Sequence, residues 1–350
     1  MVMTGVIIPV MKAIVTGGAG FIGSHVADWL VRAGHQVLVI DDLSGGFREN
    51  IPEGAQFTQI SITEQLDALF ERFRPDAVYH LAAYAAEGLS HHIPVFNYTN
   101  NITGTVNVLG SSRRAGARHF VFTSSIAVYG HPADTKPFSE STPANPVDPY
   151  GIAKLACEQH IKAFDHYFGG LAYTIFRPHN VFGPRQNIAD PYRNVVGIFM
   201  AAAVEGRAMP VFGDGTQTRS FSYIDAVAEA IAQAPSVPAA HNLTVNIGGD
   251  EPMAVRELAR QVASVMGTAD RVDFLPPRKE VLHAHCDHTA ARRVFADAYA
   301  RHPMGVASGL KRMAEHVRSH PVPLATECPS HIELTELLPP SWAGRLANRK

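Results

Sequence analysis

Short apolar runs alternate with amphipathic segments over the first half of the chain. Lys12–Thr16 is a short strand-like run, and after a glycine-rich stretch the apolar positions from Phe21 to Leu30 recur near helical spacing. Further strands are predicted over residues 36–40, 56–60, 77–81, 119–123 and 173–176, and further helices over residues 63–73, 95–115 and 150–168. This alternation predicts a parallel sheet covered by helices on both faces.

The regular alternation ends near Pro178. Glycine, proline and single charges then divide the chain into shorter pieces, with helices predicted over residues 195–205, 224–234 and 306–317. We expect a smaller, loop-rich lobe there. The last 32 residues, 319–350, carry several prolines and are predicted to be a tail that wraps the surface.

Four glycines lie between the first strand and the first helix, in the run GGAGFIG that begins at Gly17. Such glycines make a tight turn and let a pyrophosphate approach the backbone at the N-terminus of a helix, where unpaired N–H groups face the phosphates. Asp41 follows Gly23 by 18 residues, at the end of the second strand. A carboxylate there accepts hydrogen bonds from an adenosine ribose and repels a 2′-phosphate, which favours NAD over NADP. The alternative is that Asp41 only caps the following turn.

These features predict an α/β protein with a Rossmann-type, doubly wound parallel sheet and a smaller C-terminal substrate-binding lobe. We assign residues 1–10 to an N-terminal extension, with Met11 as an alternative start, and residues 11–178 to the NAD-binding domain. Residues 179–318 are mostly the substrate-binding lobe, with elements that return to the sheet.

Composition limits the partners. The chain of 350 residues has 30 basic and 32 acidic side chains, so its net charge of −2 provides no general attraction to nucleic acid or to an anionic membrane. No apolar run approaches the roughly 20 residues that a membrane span needs. The three cysteines, Cys157, Cys286 and Cys328, are far apart and indicate neither a disulfide framework nor a zinc site. We therefore expect a cytoplasmic protein with a small-molecule ligand and no nucleic acid or membrane partner.

A tyrosine and a lysine four residues apart, Tyr150 and Lys154, lie on one face of a predicted helix. A phenol titrates near 10, so a base that works near neutral pH needs a shift of about 3 units, which a lysine cation and an oxidised nicotinamide supply together. The YxxxK motif alone is weak evidence for a proton-transfer site, because this spacing recurs by chance in helices. Ser124 and Ser125 strengthen the evidence, because they end the fifth strand, and ligand-facing side chains lie at such strand ends in parallel sheets.

The combination of GGAGFIG, FTSSIAVYG, YGIAK and FGDGTQTRSFSYID resembles the extended short-chain dehydrogenases/reductases, specifically the NAD-dependent sugar epimerase/dehydratase family. The resemblance covers about residues 12–318 and is greatest to the UDP-hexose 4-epimerases. It implies a nucleotide-diphosphate sugar as substrate, with a UDP-sugar favoured, tightly held NAD, and a catalytic set of Ser125, Tyr150 and Lys154. It also implies a homodimer formed through the helices at 95–115 and 150–168.

Further site residues are carried over by the same resemblance. Those implied for the cofactor are Gly17, Gly20, Phe21, Ile22, Gly23, Asp41, Asp42, Ser44, Ser61, Ile62, Leu81, Ala82, Ala83, Asn100, Tyr150, Lys154 and Pro178. Those implied for the substrate are Ser125, Asn180, Asn194, Val195, Phe212, Arg219, Arg278, Glu280 and Ala284. Two forked arginines suit a diphosphate.

The family resemblance favours epimerisation over dehydration. Family members that dehydrate sugars carry an Asp-Glu pair after the strand-five Ser or Thr, whereas this chain has Ile126 and Ala127. We therefore expect inversion of C4 of a UDP-hexose or UDP-N-acetylhexosamine through a transient 4-keto sugar, with the small Ala284 admitting a C2 substituent. Ser61 and Ile62 replace the Asp that meets adenine in the family.

Two other functions stay open at this point. One is a related decarboxylase, reductase or epimerase that acts at another carbon or on a dTDP-, GDP- or CDP-sugar. The other is a non-catalytic NAD-sensing protein, against which the complete Ser-Tyr-Lys set argues. The run HAHCDH, residues 283–288, has a metal-like composition, but its spacing matches no established zinc pattern. We expect no metal.

Overall fold

The computed structural model describes residues 10–132, 136–190, 192, 194–277, 283–303, 305–320 and 332–338. The strands in this part of the chain are β1 (Lys12–Thr16), β2 (Gln36–Asp41), β3 (Gln56–Gln59), β4 (Ala77–His80), β5 (His119–Thr123), β6 (Ala172–Pro178), β7 (Val181–Phe182), β8 (Met209–Phe212), β9 (Thr218–Ser220), β10 (Ser222–Tyr223), β11 (Leu243–Ile247), β12 (Pro252–Ala254), β13 (Val272–Leu275) and β14 (His283–Ala284). The α-helices are α1 (Phe21–Arg32), α2 (Asp67–Phe73), α3 (Glu87–Ser90), α4 (Pro94–Tyr98), α5 (Gly104–Arg114), α6 (Pro149–Phe168), α7 (Val195–Val204), α8 (Ile224–Gln233), α9 (Val255–Met266), α10 (Thr289–Val294), α11 (Ala296–Arg301) and α12 (Val306–Ser319). The predicted extension and most of the predicted tail lie outside the described residues.

Seven parallel strands form the central sheet, in the order β3-β2-β1-β4-β5-β6-β11. Alternate side chains of β1 enter different cores: Ala13 and Val15 pack with α1 and α8, whereas Ile14 packs with α2, α5 and α6. A strand buried on both faces becomes continuously apolar, as the sequence of β1 is. The predicted Rossmann-type fold is confirmed. The strand order reverses between β1 and β4, where such sheets form a ligand crevice at their carboxyl ends.

The helix predicted over residues 95–115 is interrupted in the structure. Five residues, Thr99–Thr103, form a π-helical turn between α4 and α5. Asn101 in this turn pairs with the backbone of Tyr84: its Oδ1 accepts from Tyr84 N at 2.9 Å and its Nδ2 donates to Tyr84 O at 3.2 Å. The π-helical turn therefore holds the loop that follows β4 in place. Single π-helical turns within α-helices occur frequently at functional sites.

The prediction of a helix over residues 63–73 was wrong at its start, because α2 begins only at Asp67. Half of the expected capping box forms, with Ser61 N donating to Glu64 Oε1 at 3.0 Å. Asn107 Nδ2, however, donates to the carbonyls of both Ile62 and Glu64 at 2.7 Å. These carbonyls are the acceptors that an earlier helix would use, so a side chain from α5 holds the segment as a turn.

The C-terminal half builds the lobe and also completes the sheet. In the lobe, β13 pairs with β8, and β12 and β14 flank β9. The strand β11 returns to the sheet beside β6, and α8 packs against α1. No helix within the described residues is long and apolar enough to cross a membrane.

Candidate active site

A single large cleft of about 1910 Å³ runs along the carboxyl ends of the sheet strands and under the lobe. It is lined by nearly every site residue that the sequence predicted within the described part of the chain. The exception is Ser61, which does not line the cleft because its hydroxyl lies in the turn before α2, 3.0 Å from Thr63 Oγ1. Arg278 and Glu280 lie outside the described residues.

The glycine-rich loop has the geometry that a pyrophosphate site needs. Gly17 has a φ of +72°, and a Cβ there would lie 2.6 Å from Ala82 N. A Cβ at Gly23 would lie 2.1 Å from Gly17 O, so only glycine lets α1 pack this closely on the loop. Gly20 is the N-cap of α1 and makes no side-chain cap, which leaves the helix N-terminus open to an anion.

Asp41 caps the turn that follows β2, as the alternative from the sequence expected, and its role toward an adenosine ribose stays a prediction. Its Oδ1 accepts from Leu43 N at 2.8 Å, so it caps the turn, and its Oδ2 accepts from Ala19 N at 3.0 Å in the glycine loop. Burial raises the pKa of this carboxyl above its usual range, while the two backbone donors oppose the shift. Asp41 also lines the cleft. Two backbone N–H groups therefore hold the carboxylate in place at the wall of the cleft.

Ser125, Tyr150 and Lys154 converge on the cleft from β5 and α6. Lys154 Nζ donates to Thr123 O at 2.8 Å and lies 5.8 Å from the centre of the Tyr150 ring. Ser125 Oγ accepts from Ala127 N at 3.1 Å, so its own O–H is directed elsewhere and is able to donate to a ligand. The helix α6 places Tyr150 in its first turn because Asp148 caps it, with Oδ1 accepting from Gly151 N at 2.8 Å.

Burial controls the charge of Lys154. The side chain is 4% exposed, and desolvation lowers its pKa to about 8. The ammonium is still protonated near neutral pH, and its charge lies close to the Tyr150 ring in a medium that screens charge weakly.

A buried ion pair that the sequence did not predict lies beside Ser125 and Lys154. Glu158 lies in the middle of α6. Its carboxylate accepts hydrogen bonds from Ser124 Oγ and from Arg177 Nη2, both at 2.6 Å. Arg177 Nη1 donates to Tyr129 OH at 2.8 Å. Burial alone lowers the pKa of Arg177, but the bonds to Glu158 raise it further than burial lowers it. This network anchors the end of β5 to α6 and so positions the neighbouring Ser125. Glu158 lies four residues after Lys154, a spacing that places both on one helix face.

The lobe contributes the other wall of the cleft. Asn180, with a φ of 41°, donates from Nδ2 to Ser220 O at 3.1 Å, and Asn194 caps α7 through Val196 N at 2.9 Å. Arg219 on β9 and Ala284 on β14 are register partners. The cleft is lined by all the substrate residues predicted within the described ranges: Ser125, Asn180, Asn194, Val195, Phe212, Arg219 and Ala284.

Part of the C-terminal tail, residues 332–338, reaches the cleft. The Glu333 carboxylate accepts from Val95 N and Phe96 N, both at 2.8 Å, at the start of α4. Leu334 O lies 2.8 Å from His92 Nδ1, and Leu334 and Leu337 line the cleft. The tail therefore covers the loop that follows β4, and no local signal in the sequence located this contact.

The fold and the site define a class: a dinucleotide-dependent enzyme with the Ser-Tyr-Lys set of the extended short-chain dehydrogenases/reductases. The chain belongs to the NAD-dependent epimerase/dehydratase family, whose sequence profile matches residues 13–248. The predicted family, enzyme class and cofactor are thereby confirmed.

Several characterised proteins resemble the chain over most of its length. A UDP-glucose 4-epimerase from Mycolicibacterium smegmatis is 35% identical over 319 residues, which cover 88% of this chain and 99% of that one. The structure of a UDP-glucose 4-epimerase from Thermotoga maritima with UDP-glucose superimposes with a TM-score of 0.81 at 34% identity, covering 88% of this chain and 99% of that one. A UDP-N-acetylglucosamine 4-epimerase from Methanobrevibacter ruminantium, in complex with UDP-N-acetylmuramic acid, gives a TM-score of 0.80 at 29% identity, with 89% and 99% covered.

Proposed function

We propose that this enzyme inverts C4 of a UDP-hexose or UDP-N-acetylhexosamine. The proposal rests mainly on one observation: Ser125, Tyr150 and Lys154 line the same cleft. Ile126 and Ala127, the two residues after Ser125, line it as well. Neither of these two residues has a group that exchanges protons, so the acid and base that dehydration needs next to Ser125 are missing at those positions. The similarity to 4-epimerases of both substrate types supports the same reaction.

In the proposed reaction Tyr150 accepts the proton of the C4 hydroxyl and later returns it. The glycine loop and Asp41 would hold NAD, which would supply a reversible hydride acceptor for C4 of the sugar. Lys154 lowers the pKa of the phenol, and Ser125 donates a hydrogen bond to the reacting oxygen. Rotation of the oxidised sugar between the two steps requires room, which the wide cleft provides.

The lobe is proposed to hold the nucleotide. Arg219, which lines the cleft, would bind a diphosphate oxygen, because a guanidinium offers forked donors that match such a group. Phe212, at the end of β8, lines the same wall and would flank the uracil ring. Ala284 lies beside Arg219 and leaves space that a C2 N-acetyl group would fill.

We also propose a homodimer and a cytoplasmic location. Large apolar side chains are exposed on the two helices expected at the dimer contact: Val106 on α5 and Ile152, Tyr167 and Phe168 on α6. Such exposure is typical of a protein interface. Light scattering should give the mass of two chains, and Ile152→Glu should halve it. The free, buried thiols of Cys157 and Cys286 suit a reducing compartment.

The reaction is tested with the purified enzyme, NAD and a set of UDP-, dTDP-, GDP- and CDP-sugars, with products identified by NMR. We expect the C4 epimer of a UDP-sugar as the product. Release of carbon dioxide or water, change at another carbon, or NAD binding without any product would each contradict the proposal.

Tyr150→Phe tests the proton transfer. Removing the hydroxyl should lower kcat by about 10²–10⁴-fold, because the group that would take up and return the C4 proton is lost, while the fold and NAD binding persist. Tyr167→Phe is the matched control: this tyrosine lies on the same helix and is 81% exposed. Equal loss of activity in both variants, or full activity in Tyr150→Phe, would show that the phenol is not the base.

A further inference from the structure

Three metal-ligating side chains meet at one buried point beside the cleft. His179 follows β6, and Cys286 and His288 lie between β14 and α10. One ligand atom from each lies within 4.8 Å of the others. The three residues are 2%, 3% and 1% exposed, respectively. The fold thus brings together side chains that are separated by more than a hundred positions in the sequence.

Three of the four ring nitrogens in this cluster have no hydrogen-bond partner within 3.5 Å among the described residues. Both ring nitrogens of His179 and Nε2 of His288 are buried and have no hydrogen-bond partner among the described residues. A buried polar atom without a partner costs about 1–3 kcal/mol, so such atoms are rare in folded proteins. Each neutral imidazole carries one N–H and one lone pair, so His179 and His288 each offer one lone pair here, and a ligand between them would accept both.

A hydrogen bond to Asp250 holds Nδ1 of His288 and so orients the ring with Nε2 toward the cluster. His288 Nδ1 lies 2.6 Å from Asp250 Oδ1, and Arg292 pairs with the same carboxylate. With the proton on Nδ1, the lone pair of Nε2 faces the cluster. A carboxylate behind a histidine is the usual second shell of a metal site.

A glycine lies where the nitrogens converge, and the structure has no space for a side chain on it. A Cβ on Gly248 would lie 3.2 Å from His288 Nε2 and 3.4 Å from His179 Nδ1, and it would clash with Ser222 Oγ at 2.4 Å. Both nitrogens therefore face the same glycine, immediately after β11. A larger residue at that position would occupy the space in front of them.

We propose that His179 Nδ1, His288 Nε2 and Cys286 Sγ bind one divalent transition-metal ion of the zinc class. Two imidazoles and one thiolate are the donors that zinc prefers, and the thiol proton leaves to solvent as the metal–sulfur bond forms. In tetrahedral zinc sites the ligand atoms are about 3.3–3.6 Å apart, so separations of up to 4.8 Å would need to shorten by at most about 1.2–1.5 Å. This inference departs from the expectation of no metal, which considered only the spacing within residues 283–288.

The proposed ion joins the sheet to the wall of the substrate cleft. His179 lines the cleft next to Pro178, and Cys286 lies two residues from Ala284, which lines the lobe side. Binding at one point would fasten the segment that carries Ala284 to the end of β6. The ion is a structural element here, and the proton transfer of Tyr150 does not depend on it.

The test measures metal directly and is independent of epimerase activity. The full chain, without a histidine tag, is stripped with a chelator, loaded with one equivalent of Zn²⁺, gel-filtered and analysed by mass spectrometry for metal content. We expect about one zinc per chain to be retained. With Co²⁺ we expect tetrahedral visible bands and a thiolate-to-cobalt charge-transfer band.

Variants locate the ion. Cys286→Ser should abolish the charge-transfer band, and His288→Gln should lower retained zinc about tenfold or more, whereas Cys157→Ser and His285→Gln should behave as the wild type. Less than about 0.1 zinc per loaded wild-type chain, or wild-type retention in both cluster variants, overturns the proposal. If a cluster variant does not fold, zinc content and the cobalt spectrum of the wild type decide.

Discussion

Lys154 illustrates how burial sets the chemistry of a single residue. Its ammonium is enclosed between the Phe122 ring, at 4.8 Å, and the Tyr150 ring, at 5.8 Å. Water is excluded, so the cation becomes less stable and its pKa falls from 10.5 to about 8. The same exclusion of water strengthens its effect on the neighbouring phenol.

This shift predicts a measurable pH dependence of stability. Between pH 8 and 10.5 the unfolded chain keeps a proton on Lys154 that the folded chain has lost, so unfolding takes up a proton and the free energy of unfolding due to Lys154 rises with pH. Between pH 8 and 10.5 the free energy of unfolding should rise by about 3 kcal/mol more in the wild type than in Lys154→Met, which has no titrating group at this position. Urea titrations of both proteins from pH 7 to 10.5 measure it. Parallel curves for the two proteins would contradict the shift.

A second residue-scale prediction concerns Glu158. Glu158→Ala leaves Arg177 charged and buried without its partner, so we expect a loss of about 3–5 kcal/mol in the free energy of unfolding. Glu71→Ala on the exposed face of α2 should change stability by less than about 0.5 kcal/mol. Chemical denaturation measures both. A small effect of Glu158→Ala would mean that Arg177 finds water or another acceptor.

At the scale of elements, side chains from distant segments decide where helices begin and bend. Asn107 holds residues 62–64 as a turn, Asn101 pairs with the loop after β4, and Glu333 caps α4 from the C-terminal tail. Each of these side chains forms a hydrogen bond with a backbone N–H or C=O group. Such a group is either left unpaired at the start of a helix or would otherwise bond within the helix. The helical periodicity of the sequence contains none of this information.

The Glu333 contact predicts a specific effect of the tail on substrate binding. Glu333→Ala removes the acceptor for two N–H groups of α4, which frees the tail segment that carries Leu334 and Leu337 along the cleft. We expect KM for the UDP-sugar to rise several-fold, with kcat changed less, because the catalytic residues are untouched. Steady-state kinetics measure this, with Glu71→Ala as the control. An unchanged KM would show that the segment does not affect binding.

On the scale of the whole molecule, the structure buries several neutral histidines. Burial lowers the pKa of His25 to about 4 and those of His80 and His119 to about 3. In the unfolded chain these groups titrate near 6.5, so below that pH unfolding takes up protons. Their contribution to stability is complete above pH 6.5 and is lost as the pH falls toward the folded pKa values.

Acid should therefore destabilise the protein steeply. Below pH 6, each of the three histidines should lower the free energy of unfolding by about 1.4 kcal/mol for every unit by which the pH falls. His119→Asn should flatten the dependence by one such increment, whereas His166→Asn, at an exposed position of α6, should leave it unchanged. Urea midpoints at pH 7, 6 and 5 measure the slopes. Equal slopes for wild type and His119→Asn would show that His119 is already accessible to protons.

Sequence patterns located most of the site because its chemistry depends on local spacing. The glycine loop, Asp41 and the Tyr150–Lys154 pair each need only a turn, a strand end or one helix face, which a short window specifies. The Glu158–Arg177 pair and the contact of Glu333 with α4 were not located. Their partners lie 19 residues or more apart along the chain, and no local pattern links them.

The sequence by itself determined the alternation of strands and helices, the cofactor loop and the catalytic set, because periodicity and glycine placement act within a few residues of each other. Only the tertiary structure decided which buried polar groups meet. It brought His179 to Cys286 and His288, returned β11 to the sheet, and placed residues 332–338 along the cleft. These outcomes depend on the packing of whole layers, since the free energy of a long-range contact depends on how every intervening element folds.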